Sequence, residues 1–176
     1  MTPRLRRLAL TAHVSCSVGW LGAIAVFLAL AVIGLASQQP QTARGVYLAM
    51  EPAAWSVLVP LAFASLLTGI IQSLGTSWAL ARHYWVLAKL LINVVTTTVL
   101  LLYLPTFTAM AAAAADPRVD LAAVRNPSPV VHAGAAMVLL LLAAVLSVYK
   151  PRGMTRYGWR RRQQERDGNS RRIIPA

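Results

Sequence analysis

Residues 130–149 read VVHAGAAMVLLLLAAVLSVY, a stretch without Asp, Glu, Lys or Arg, bracketed by Pro129 and Pro151. A helix needs about 20 apolar residues to cross roughly 30 Å of hydrocarbon, and this stretch supplies them. Three more runs of the same kind precede it. Leu8 to Leu35 is long enough to tilt in a bilayer, and Ala53 to Leu74 contains Pro60, which predicts a kink. Tyr84 to Leu104 is closed by Pro105. The expected fold is therefore all-α, an integral membrane four-helix bundle. Trp55, Tyr84, Trp85, Tyr103 and Tyr149 fall near span ends, where aromatic belts form.

Composition agrees with the pattern. Of the 176 residues, 57 % are hydrophobic and 12 % charged, against roughly 25 % charged in a soluble domain. Too few charged groups remain to cover a water-facing surface. Cys16 is the single cysteine, which excludes an intrachain disulfide. It does not read as a lipoprotein cysteine, because the apolar run follows it. A cleaved signal peptide is a rival for the first run, since Arg4, Arg6 and Arg7 form a basic start and Gly34 to Ser37 a small-residue end. Signal cores are about 7–15 residues long; this run exceeds that and is read as a retained helix.

The connections are short between spans two and three (Gly75 to His83) and longer elsewhere: Ser37 to Pro52 and Thr106 to Pro129. In the last, Ala111 to Ala115 favours a helical extension that Asp116-Pro117 ends. The domain division is a four-span unit over residues 1–150 and a basic tail over 151–176, expected to lack regular structure.

Net charge is +12, and its placement sets orientation. The amino terminus, the Gly75–His83 connection and the stretch from Lys150 to Ala176 together carry thirteen Lys or Arg; the other two loops carry Arg44, Arg118 and Arg125. The positive-inside rule puts both termini in the cytoplasm of a cell inner or plasma membrane. The nine basic residues from Lys150 to Arg172, against Glu165 and Asp167, suit anionic lipid. No nucleic-acid recognition motif accompanies them, so no nucleic-acid partner is expected.

Ionisable groups inside a span are costly and mark function. His13 lies five residues into span one and Lys89 five into span three, at a shared depth near the cytoplasmic boundary. Ser17 and Trp20 follow His13 at i+4 and i+7, and Asn93 and Thr96 follow Lys89 at the same offsets. Thr68, Gln72 and Ser147 lie near that level on the other spans. These residues predict a polar interior. His83 is expected at the membrane surface. His132 lies near the outer end of span four, so it cannot share a metal ion with His13.

His13, then Trp20-Leu21-Gly22, Thr68-Gly69, and Trp85 four residues before Lys89 together resemble the first three spans of HemJ-type protoporphyrinogen oxidases, and in part the related CopD-type copper proteins. The stretches His13-Val14, Ser17 to Gly22 and His83 to Lys89, with Tyr149-Lys150-Pro151, also resemble a family of actinobacterial integral membrane proteins known only as a domain of unknown function. That likeness covers Leu8 to about Arg161. The HemJ resemblance implies a haem b or porphyrin site near the cytoplasmic face. There His13 would be the axial ligand, Lys89 would neutralise a propionate, and Trp20 would pack on the ring. Two departures keep oxidase chemistry from being carried over. Ala25 to Leu28 is uncharged where those enzymes are basic and aromatic, and their histidine near the end of span three is missing. No catalytic residue is assigned, and whether the chain is an enzyme stays open. Two other function classes stay open as well. One is a CopD-like metal permease, with Met50, Met110 and His132 as soft copper donors on the outer side. The other is an accessory subunit of a homo-oligomer or membrane complex, packing through Gly19, Ala23 and Ala133 to Ala136.

Overall fold

The computed structural model describes residues 1–75, 82–120, 122, 125–151 and 153–173, with side chains up to 164. Most of the expected connection between spans two and three, residues 76–81, lies outside them. Helix α1 (Pro3–Ala36) starts early because Thr2 caps it, its hydroxyl accepting from Leu5 N–H at 3.4 Å, and because Pro3 suits a first turn. The remaining helices are α2 (Pro40–Ala53), α3 (Val59–Leu74), α4 (Tyr84–Ala115), α5 (Ser128–Tyr149) and α6 (Arg156–Ile173). Four stretches are long and apolar enough to cross a membrane: α1, Pro40–Leu74, α4 and α5. The chain is thus an all-α helical bundle with the make-up of a multi-pass membrane protein.

Three expectations are corrected. Ser37 to Pro52 is not a loop: from Pro40 it is helix, with Ala43, Tyr47, Met50 and Ala54 buried along one face. Pro52 and Pro60 both lie within one continuous helical stretch, Pro40–Leu74. A π turn, Ala54–Leu58, joins α2 to α3, and Pro60 follows in the first turn of α3. The wider turn relieves the clash between a proline ring and the preceding turn. Pro105 likewise sits inside α4, which runs on through the alanines to Ala115, where Asp116-Pro117 stops it as expected. Third, the tail carries α6. Thr155 caps it, accepting from Gly158 N–H at 3.1 Å, while Thr155 N–H donates to Arg82 C=O at 3.1 Å.

At 1.5 Å per residue, Pro40–Leu74 and α4 are each roughly 50 Å long, more than the roughly 30 Å of a hydrocarbon core, and both extend on the side away from the termini. There α2 packs on the end of α4. Arg44 Nη1 donates to Ala114 C=O at 3.0 Å and Asp116 C=O at 2.7 Å, and Nη2 donates to Val119 C=O. The guanidinium thereby satisfies carbonyls that a helix end leaves orphaned. Thr108 donates to Glu51 at 2.6 Å. In the bundle, α1 packs on α3 and α5, and α4 touches α3 and α5. The core is centred on Trp20, Phe27, Tyr47, Met50, Leu104 and Phe107. Val18, Val26, Leu67, Leu91, Leu102 and Val148 stay exposed, an apolar exterior suited to acyl chains.

Candidate functional site

Polar side chains from all four spans meet towards the end of the bundle that holds both termini. The buried hub is Ser65, 2 % exposed. Ser17 on α1 lies 2.9 Å from its hydroxyl, and that hydroxyl reaches Asn93 Oδ1 on α4 at 3.4 Å. Asn93 Nδ2 donates to Lys89 C=O at 3.0 Å. Lys89 Nζ crosses to α5, donating to Ser147 at 3.0 Å, and Ser147 passes its own proton to Ala143 C=O at 3.0 Å. One turn along α3 from Ser65, Thr68 meets His13. Hydroxyls can occupy helix interiors in this way because each can also donate to a carbonyl one turn back.

The hydrogen bonds of Thr68 favour one tautomer of His13. Thr68 has one hydroxyl proton, and Ala64 C=O takes it at 2.6 Å. The Thr68 oxygen is left to accept from His13 Nδ1–H at 3.2 Å. In a neutral imidazole, Nε2 then carries the bare lone pair. A metal-ligating histidine is oriented by this kind of hydrogen bond on its other nitrogen. Gly69 makes room for the ring: a Cβ there would stand 3.0 Å from His13 Cε1.

Lys89 is the second reactive group. Its ammonium lies 4.7 Å from the centroid of the Trp85 ring, one turn back on the same helix. Among the described side chains the acids are Glu51, Asp116 and Asp120, and the first two belong to the projecting α2–α4 end. The charge therefore has an aromatic face and one hydroxyl, but no carboxylate among the described residues.

Of the expected polar interior, Ser17, Thr68, Asn93 and Ser147 are brought together with His13 and Lys89. Gln72, one turn beyond Thr68, has a buried side-chain oxygen without a hydrogen-bond partner. Trp20 is placed differently. It is roughly 10 Å beyond His13 along α1 and lines a separate cavity with Tyr103, Phe107 and His132. Thr96 lines that cavity too, its hydroxyl bonded to Ile92 C=O at 2.7 Å. His83, expected at the surface, pairs with Met154 in an isolated bridge. Ser65 was not expected, although its i, i+3 spacing to Thr68 could have marked it. Of the copper donors, Met50 and Met110 are buried in the apolar core, while His132 is exposed and its ring lies 4.4 Å from that of Tyr103. Among the described residues, no three His, Cys, Asp or Glu gather as a metal site.

Against known proteins the chain matches no family model, no curated sequence and no solved structure.

Proposed function

We propose that this protein binds an anionic, membrane-partitioning ring ligand, a haem b or porphyrin, at the polar junction near the cytoplasmic ends of its spans. The observation that carries the reading is Lys89: a cation inside a four-span bundle whose described neighbours include no anion. Burying a charge without a partner is costly, and a ligand carboxylate would offset that cost. His13 supports the same reading: with Nδ1–H on Thr68, which holds the ring in place, the neutral imidazole would offer its Nε2 lone pair to an axial bond. Haem, when bound, would supply one-electron chemistry. Orientation of the ligand falls to Lys89 and Ser147. Trp20, in the separate cavity, is not needed for it. The HemJ likeness of the His13 and Lys89 segments points the same way.

The thirteen-to-three bias of basic residues puts both termini, and hence this junction, on the cytoplasmic side. The basic tail then lies against anionic headgroups of the plasma membrane.

Protein purified from haem-replete cells should show a Soret band that changes on reduction with dithionite. His13→Ala should remove the band. Lys89→Met should weaken retention of the pigment without abolishing it. His132→Ala should leave it intact, since that residue is roughly 20 Å from Ser147 along α5. A wild-type protein that is colourless, and stays colourless after incubation with haemin, overturns the proposal.

A further inference from the structure

The cavity beside Trp20 lies between α1, α4 and α5 and has a volume of about 290 Å³. Helices α4 and α5 are joined at two levels. Towards the termini Lys89 Nζ meets the Ser147 hydroxyl at 3.0 Å, and towards the other face the Tyr103 and His132 rings lie 4.4 Å apart. Between these levels the cavity opens sideways. Val95, Val99 and Ala135 line it and are at the same time exposed on the flank of the bundle. In a membrane-spanning bundle that flank faces acyl chains.

Size and depth match a single lipid tail. The lining runs from Pro129 to Leu139 on α5 and from Val95 to Phe107 on α4, roughly 15 and 18 Å at 1.5 Å per residue. Pro129 stands in the first turn of α5, so the cavity occupies the half of the span away from the termini. One leaflet, half of a roughly 30 Å hydrocarbon core, is about 15 Å deep. An apolar cavity near 150 Å³ takes up benzene, so this one, almost twice as large, holds about twelve carbons.

The wall selects hydrocarbon. Phe27, Leu58, Leu100 and Ala136 carry no polar side-chain atom, and the Thr96 hydroxyl already bonds to Ile92 C=O at 2.7 Å. The Trp20 N–H and the Tyr103 hydroxyl are closed off from accessible space, so both rings turn carbon to the cavity. Water does not fill such a space, and a helix of a second copy, about 10 Å across, is too wide for it. A lipid tail needs no hydrogen bond and reaches the opening directly. A polar end is provided for as well: His132, exposed, lines the cavity near the outer end of α5, where head groups begin.

We infer that this cavity is a lateral binding site for one acyl chain of a phospholipid in the leaflet away from the termini. The chain lies along α4 and α5, with its head group beside His132. The site is separate from the junction of His13 and Lys89 and does not depend on what binds there.

Trp20 supplies the test. It lines the cavity but is 1 % exposed, so a lipid on the outside of the bundle does not touch it. The full chain is prepared in detergent with Trp55, Trp78, Trp85 and Trp159 replaced by Phe. It is titrated with phosphatidylcholine brominated at mid-chain, since bromine quenches an indole that it touches. Trp20 should lose more than half of its emission, along a curve that saturates as a single site. Ala136→Phe, which fills the cavity, should abolish most of that loss; Ala133→Leu serves if that variant is not monodisperse and helical. If the Trp20-only chain does not fold, the otherwise native chain with and without Trp20→Phe gives the same quantity by difference. The inference fails if Trp20 is not quenched, or if quenching rises without saturation. It also fails if quenching survives in a folded, cavity-filled variant, or if brominated free fatty acid quenches and the phospholipid does not.

Discussion

Lys89 and Ser65 are both polar residues inside apolar helices, and they predict opposite responses to removal. Lys89 brings a charge that its described neighbours satisfy only in part. Replacing such a group with an apolar side chain of similar shape is often neutral or stabilising. Lys89→Met should therefore unfold in detergent at or above the wild-type midpoint, by up to ~2 kcal/mol, even though it retains haem poorly. A midpoint well below wild type would mean that the lysine holds the bundle together and is not kept for a ligand. Ser65 shows what the residue scale conceals. His13 and Lys89 stand out in the sequence because an ionisable group in a span needs a reason. A serine needs none, since its hydroxyl can fold back on its own helix. Ser65 is the hub only because α1 and α4 present Ser17 and Asn93 to it, and that meeting depends on packing. Trp20 illustrates the reverse error. Its i+7 spacing from His13 gives the same face of α1, but two turns of rise carry it into another compartment.

At the scale of elements, the four membrane-crossing stretches were legible because hydropathy over about 20 residues is a strong signal. Their ends were not. Pro105 reads locally as a stop and Pro52 as the end of a loop, yet the helices pass both. A π turn and neighbouring helices accommodate the rings, and neither can be read from a window of sequence. The amphipathic α2 was hidden in an apparent loop, although the spacing of Ala43, Tyr47 and Met50 was its signature. Its grip on α4 rests on Arg44, whose fan of donors meets several carbonyls at once. Arg44→Ala should destabilise the protein by about 2 kcal/mol, the range for hydrogen bonds to a charged group, seen as a lower thermal midpoint in detergent. Arg44→Lys should restore little of it, because an ammonium cannot span the carbonyls that a planar guanidinium reaches. Full recovery with lysine would show that charge alone matters there.

For the whole molecule, the charge count predicts a definite topology. Reporter fusions after Gln41 and Asp120 should report the extracytoplasmic side, and a fusion at Ser170 the cytoplasm. An extracytoplasmic signal at Ser170 would invert the arrangement and move the His13–Lys89 junction to the opposite face. The pairing of Thr155 with Arg82 adds an order in time. The two residues are 73 positions apart, with α4 and α5 between them. While the ribosome is still making α5, Arg82 has no Thr155 to accept from. The clasp closes only when the last membrane helix has been delivered and the chain behind it has emerged. It is therefore a record of finished insertion, and a chain truncated before Thr155 keeps its spans but loses that seal.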